Sequence, residues 1–262
     1  MFLSLDIAAG GLQAQQTNVD VISQNLANLS TTGYKRQIPE FRDLLYQNLR
    51  RVGATSSDTG TIIPTGIQLG LGVQTSAIHR DIQQGTLQST TEPLDLAING
   101  RGYFQITLPD GTTAYTRDGT FQISPTGEIV TADGFPLSPT ITIPPDATAV
   151  SINTSGVVEA TIPAQVNPSN LGQMQLATFI NENGLQATGD NLFTETQASS
   201  TPVVGNPGID GVGTIQQGFL ETSNVNPVSE ITNLIVAQRA YEMNTKVITA
   251  SDQMLQTLSQ VG

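Results

Sequence analysis

The chain begins and ends in the same periodicity. Leu5, Leu12, Val19 and Leu26 recur every seven residues, and Ala8, Gln15, Ile22 and Leu29 each follow three positions later. Among these positions only Gln15 is polar, so the segment reads as a helix with an a/d seam. At the other end Val236, Ala240, Met243, Val247, Ala250 and Met254 advance in steps of four and three. Leu234, Tyr241, Ile248 and Leu255 form a second line there at seven-residue spacing. A helix with one apolar stripe must bury it, and a helix with two stripes needs partners on two sides. No third segment offers a helix of comparable length. The two ends are therefore expected to meet each other, or their counterparts on other copies, as in a subunit built for assembly.

The first helix is expected from about Ser4 to Asn28. Gly10-Gly11 inside it costs about 1 kcal/mol per glycine relative to alanine, so the isolated helix is marginal. Ser30-Thr31-Thr32-Gly33 ends it, with the glycine available for a left-handed residue. The last helix starts at Asn226-Pro227, an N-cap followed by proline at the first helical position. It runs to about Ser259, roughly 50 Å at the usual rise per residue.

Between the helices the pattern changes. Residues 34–49 are mixed, and Phe41, Leu44, Leu45 and Leu49 allow one short helix. From Val52 to Gly72, glycines and prolines interrupt any regular element. So long a loop is unusual in a compact domain. Because Ile62, Ile63, Ile67, Leu69 and Leu71 sit in it, an extended arm ordered by neighbours is expected. The stretch Leu94–Ser138 reads as a β-meander, with runs 94–98, 103–108, 113–117, 120–124 and 128–131. Asn99-Gly100, Asp110-Gly111, Asp118-Gly119, Thr126-Gly127 and Asp133-Gly134 separate these runs and suggest type I′ hairpin turns. β character continues through 140–143, 150–153, 156–162 and 173–180. The fold class is α+β: a mostly-β centre, with long N- and C-terminal helices forming a discontinuous coiled-coil domain. Residues 1–33 and 226–262 make up the terminal-helix domain. Residues 34–84 and 189–225 form an extended connecting region with the arm at about 46–72, and 85–188 form a β-rich outer domain.

Composition narrows the function. Charged residues are 12% of the chain and the formal net charge is −12. Nucleic-acid binders need basic stripes, so nucleic acid is excluded as a partner. Five of the ten basic residues fall between Lys35 and Arg51, forming either a local contact surface or a solvated linker. There is no cysteine, hence no disulfide framework. No basic leader opens the chain, and no run approaches the ~20 apolar residues of a membrane span, so no membrane insertion is expected. His79, the single histidine, has no nucleophile motif beside it, and with one histidine and no cysteine a nitrogen–sulfur metal site is excluded. Gly70-Leu71-Gly72 lacks the third glycine and the helix of a dinucleotide fingerprint. No catalytic residue, cofactor or metal is expected.

One family carries this combination. Asn25-Leu26-Ala27-Asn28-Leu29-Ser30-Thr31-Thr32-Gly33-Tyr34-Lys35-Arg36 resembles the N-terminal signature of bacterial flagellar rod and hook proteins, and Gln16–Ile22 extends the match. Gly218-Phe219-Leu220-Glu221-Thr222-Ser223-Asn224-Val225-Asn226 and Gln238-Arg239-Ala240-Tyr241-Glu242 resemble the signature at the other end. Glu92–Gly100 and Tyr115-Thr116-Arg117-Asp118-Gly119 are similar to the family's central segments. Pro227 and Gly10-Gly11 depart from the usual pattern. The length and the arm fit the distal rod branch, with a proximal rod or hook paralogue as the near alternative. A β-rich surface or carbohydrate-binding protein is remote, since it leaves the end helices unexplained.

The resemblance implies that the terminal helices form an inner tube of coiled coils and the β domain an outer layer. Copies would assemble helically into a rigid drive shaft that spans the periplasm within the basal body and transmits torque from motor to hook. The implied partners are further copies in a helical homopolymer, proximal rod and hook-side axial proteins, and ring proteins around the rod. The flagellar type III export apparatus would carry the chain out without a cleaved signal peptide. Candidate assembly residues are Leu5, Leu12, Val19, Ile22, Leu26, Leu29, Leu234, Val236, Ala240, Tyr241, Met243, Val247, Ile248, Met254 and Leu255. The family signature falls on Asn25, Leu26, Ala27, Asn28, Ser30, Gly33, Tyr34, Lys35, Gln238, Arg239, Ala240, Tyr241 and Glu242.

Overall fold

The computed structural model describes residues 2–50, 65–163, 165 and 167–261. The chain is α+β, with one long helix at each end and a mostly-β region between them. Two compact units divide it: one is formed by 1–27, 37–79 and 226–262, the other by 28–36 and 80–225.

The first unit holds both helices, α1 (Phe2–Ala27) and α2 (Pro227–Val261), which pack along one another. Asn226 caps α2 as its sequence indicates. Its Oδ1 accepts the backbone N–H groups of Val228 and Ser229 at 3.0 and 3.2 Å, and Pro227 occupies the first turn, where no N–H is needed. The short helix expected within 34–49 is absent. That stretch is extended instead, as β1 (Gln37–Asp43) and β2 (Tyr46–Arg50). β3 (Ile67–Gly70) pairs antiparallel with β2, and β4 (Val73–Arg80) pairs with β1. Leu44 N–H to the Gly72 carbonyl and Leu71 N–H to the Leu45 carbonyl join the two pairs across a break in the ladder. The four strands therefore make one ribbon, and the arm's ends are regular β structure rather than broken coil. Alternation misled here because Phe41, Leu45, Leu49, Ile67 and Leu69 are all exposed, so no half-buried period of two marks the strands. Residues 51–64, the rest of the expected arm, lie outside the described residues.

The second unit is β throughout, apart from one 3₁₀ turn at Glu182–Gly184. Its largest sheet has seven strands. Along the sheet run Gln186–Gly189, Leu192–Thr194, Thr113–Thr116, Tyr103–Thr107, Leu176–Thr178 and Val203–Gly205, and Leu137–Ser138 also pairs with Tyr103–Thr107. Three more strands, Ala149–Ile152, Val157–Thr161 and Ser169–Gln173, form a second sheet. The core is a continuous cluster including Leu96, Ile98, Phe104, Phe121, Ile129, Leu137, Ile141, Val158, Met174, Leu176 and Ile215. A smaller aromatic cluster joins Tyr103, Tyr115 and Phe179, with rings edge-to-face at 4.8–5.9 Å.

The meander is only partly present. Tyr103–Thr107 with Thr113–Thr116 and Phe121–Ile123 with Ile129–Thr131 are hairpins. Leu96–Asn99 instead pairs with the distant Thr214–Gln217. None of the five expected turns is type I′, because no residue before these glycines has positive φ. At Gly111, Gly127, Gly134 and Gly156 the glycine N–H returns to the carbonyl three residues back. The glycine alone is left-handed there, with φ between 78° and 85°. This is a type I turn closed by a glycine bulge, used four times over. Gly119 is not left-handed. It is glycine because an added Cβ would collide with the Leu96 carbonyl.

Candidate assembly surface and a buried ionic junction

The helix faces come first, because they follow most directly from the heptads. Toward α1, α2 presents Glu230, Ala237 and Ser251, all buried, with Leu234, Ile248 and Leu255 half-buried along the same line. The buried positions of α1 are small or compact: Ala8, Ala14, Val21, Ile22 and Asn25. Asn25 exchanges two bonds with the backbone of Gln37, both 2.8 Å, and donates to Glu230 at 3.4 Å. Gly10 and Gly11 have a packing role. An added Cβ would meet the Val73 carbonyl at 3.2 Å from Gly10 and the Asn244 side chain at 3.0 Å from Gly11. Their absent side chains let α2 on one side and the ribbon on the other approach closely, which offsets the helix propensity they sacrifice.

Among the described residues nothing covers the stripe of α2 that runs through Val236 and Met254. Val236 is 62% exposed, Met243 60%, Met254 50% and Val247 46%, with Val228, Ile231, Ile235 and Tyr241 exposed beside them. Of the candidate assembly residues, Ile22 is buried, while Leu5, Leu12, Val19, Leu26, Leu29, Leu234, Ala240, Ile248 and Leu255 are half-buried. Val236, Tyr241, Met243, Val247 and Met254 are exposed. An exposed row of large apolar side chains this long is unusual on a soluble surface.

The signature residues divide the same way. Asn28 holds the turn after α1, its Oδ1 accepting the Thr31 hydroxyl at 3.0 Å. Ser30 is exposed. Gly33 takes the left-handed conformation at φ 68° and donates its N–H to the Glu221 carbonyl at 2.8 Å. Gln238, Arg239, Tyr241 and Glu242 are exposed on α2.

The second unit contains a site that periodicity could not indicate. Lys35, Arg117 and Glu221 are 6%, 6% and 2% exposed and meet in one cluster. The Lys35 Nζ donates to Glu221 Oε1 at 2.5 Å and to the Gln83 carbonyl at 2.9 Å. Arg117 Nε lies 3.2 Å from Glu221 Oε2, while its terminal nitrogens donate to the carbonyls of Gly100 and Gly102. The Gly85 N–H adds a second bond to Oε1 at 2.9 Å, whereas Oε2 accepts no hydrogen bond among the described residues and is met only by the Arg117 charge. Two cations share one anion, so the cluster carries a surplus positive charge. Burial pushes the Lys35 ammonium below its ordinary pKa, and the Arg117 charge adds to that. Lys35 thus belongs to a buried pair and not to a basic contact surface. The warning in the sequence was the scarcity of charge: in a chain with 12% charged residues, Arg117 follows directly on the strand residues Tyr115 and Thr116. Arg117 and Glu221 each stood in a family segment without being singled out.

Three of the segments that resemble the rod and hook family, 25–36, 115–119 and 218–226, each bring one member of this cluster. Family models match in the same places: a basal body rod protein model over residues 5–35, a hook protein FlgE/F/G D1 domain model over 97–160, and a basal body rod FlgEFG C-terminal model over 216–261. Whole-length relatives agree. The chain is 54% identical over 258 residues to the flagellar basal-body rod protein FlgG of Caulobacter vibrioides, covering 98% of each chain. It is 49% identical over 261 residues to the protein of the same name from Buchnera aphidicola of Schizaphis graminum, covering all of both. It is 32% identical over 274 residues to the hook-basal body complex protein FlhP of Bacillus subtilis. The matches run along the whole length, and the chain belongs to the flagellar basal-body rod protein family, in its FlgG branch.

Proposed function

We propose that the chain is a structural subunit of the flagellar distal rod and polymerises through the uncovered stripe of α2. The single observation that carries this is the exposure of Val236, Met243, Val247 and Met254 on a helix whose other stripe faces α1. Residues 1–33 and 226–262 of many copies would form coiled coils in an inner tube. Residues 34–84 and 189–225 would connect that tube to an outer layer built from 85–188. The ribbon ending in residues 46–72 would lie along neighbouring subunits and limit bending. The resulting shaft would transmit torque from motor to hook, inside the basal body. Further copies, proximal rod and hook-side axial proteins, and surrounding ring proteins are its partners, and the flagellar type III apparatus exports it without a cleaved signal. A marginal first helix and the lack of disulfides suit a chain that orders on docking.

The test is polymerisation of the full chain carrying Val247→Glu. A buried unpaired carboxylate is costly at an interface, so no polymer is expected, while the near-ultraviolet signal of the β unit's tyrosines stays native. Normal polymers from this variant would assign the stripe to something other than assembly.

A further inference from the structure

The chain passes between the two units four times, after Ala27, Arg36, His79 and Val225. Within the second unit, the passes beginning or ending at Arg36, Arg80 and Val225 are held by one neighbouring side chain. The Asn224 Oδ1 accepts the Arg36 backbone N–H at 2.7 Å. Its Nδ2 donates to the carbonyls of Asp81 and Gln83 at 3.0 Å each. The backbones add two direct bonds, Asp81 N–H to the Arg36 carbonyl at 2.8 Å and Asn224 N–H to the Tyr34 carbonyl at 3.4 Å. A carboxamide offers an acceptor on one side and two donors on the other. Asn224 uses both sides, each on a different backbone.

The neighbouring residues lock the same place. Lys35, one residue from Arg36, bonds the Gln83 carbonyl and Glu221. Arg80 donates to the carbonyls of Glu182 and Leu185 at 3.1 and 2.6 Å and stacks 4.6 Å over the Phe193 ring. Each pass is thus fixed to the β unit, and Asn224 ties the three to each other.

We propose that Asn224 is the positioning residue that makes these passes one mechanical element. Twist carried by these three of the four passes then enters the β unit through a stapled neck instead of separate linkers. The proposal rests on the rod-subunit function above. A lone backbone pass rotates about φ and ψ with little resistance, whereas three passes bonded side by side must turn together. One side chain's hydrogen bonds are a small part of the unit's stability, so their loss should loosen the neck without unfolding the sheets.

Hydrogen exchange on the full-length monomer tests the staple, and the curvature of the assembled polymer tests its mechanical role. In Asn224→Ala the amides of Arg36 and Asp81 should exchange at least tenfold faster, while those of Tyr103–Thr107 keep their rates and report that the fold is intact. Asn224→Asp retains the acceptor but sets a carboxylate against the Asp81 and Gln83 carbonyls, so the Arg36 amide should stay slow while the Asp81 amide, which is held by the Arg36 carbonyl, speeds up as its segment is pushed away. Polymers of Asn224→Ala should have a persistence length at most half that of the native polymer. Unchanged neck amides in both variants would overturn the proposal, as would freed amides in a polymer of native stiffness. Failure of the native chain to polymerise would count against the rod function alone, since the exchange result still decides whether the staple exists.

Discussion

The first unit and the second handle the same scarce resource, side chains able to make strong contacts, in opposite ways. In the β unit the charges of Lys35, Arg117 and Glu221 are spent on one another, and Phe104, Leu176 and Ile215 are wholly enclosed. On α2 the large apolar residues of the stripe through Val236 and Met254 stay exposed. A buried charge cluster whose ion pairs close within the chain speaks of folding. An apolar row that is incomplete within the chain speaks of association. The two halves of the family signature follow that division: Asn25, Gly33 and Lys35 bond inside the chain, while Gln238, Arg239, Tyr241 and Glu242 face outward.

Substitutions should therefore separate cleanly into two kinds. The largest effect is expected from Val247→Glu: loss of polymer at any accessible concentration, with the unfolding free energy of the monomer changed by no more than about 0.5 kcal/mol. Sedimentation paired with urea denaturation measures both. A large drop in monomer stability would erase the contrast, because the stripe would then have a role inside the chain.

Glu221→Gln tests the other side. It removes the charge of the carboxylate that joins two buried cations, and breaking such a cluster costs about 3–5 kcal/mol. Urea denaturation of the monomer measures it. Lys35→Met should cost distinctly less, since Arg117 and Glu221 remain as a balanced pair.

A pH series sharpens this further. Lys35 holds its proton less tightly in the folded chain than at its ordinary value of 10.5. Between the lowered folded pKa and 10.5 the unfolded chain binds more protons, so stability contributed by this group rises with pH across that window. Its charging penalty is fully present below the window. The native-minus-Lys35→Met difference in unfolding free energy should therefore grow in favour of the native chain as pH rises through it. A flat difference would mean that the ammonium is as comfortable in the cluster as in water.

The smallest effects belong to the helix contact. Asn226→Ala should cost about 1 kcal/mol through the lost cap. Gly11→Ala should come out near neutral: its Cβ meets only the movable Asn244 side chain, and about 1 kcal/mol of helix propensity is regained. Gly10→Ala meets a backbone carbonyl and should be worse than Gly11→Ala. Thermal unfolding by far-ultraviolet circular dichroism ranks the three.

Much of the architecture was legible because it is written locally. Helix periodicity marks both ends, and Asn226-Pro227 marks the start of α2 to within one residue. The glycine turns were visible as turns, but not by type, since Asp-Gly serves a type I turn with a glycine bulge as readily as a type I′ turn. Long-range pairing was not legible: nothing in Leu96–Asn99 names Thr214–Gln217 as its partner. Strands β1 to β4 were hidden because their apolar residues fall on exposed as well as half-buried positions. The ionic junction escaped for a related reason. Lys35, Arg117 and Glu221 lie up to 186 positions apart, and each alone looks like an ordinary surface charge.

The Asn226 cap turns residue count into direction. With the first turn of α2 pinned by Asn226 and Pro227, each later side chain sits at a fixed bearing around the axis, advancing about 100° per residue. A single residue inserted after Asn233 would swing Val236, Met243, Val247 and Met254 by that angle. They would keep every apolar atom and lose their aim. Seven inserted residues would nearly restore the bearing, about 20° short of two full turns, and shift it along the axis instead. For a helix whose value lies in what it shows to its neighbours, spacing is as much a part of the message as the residues themselves.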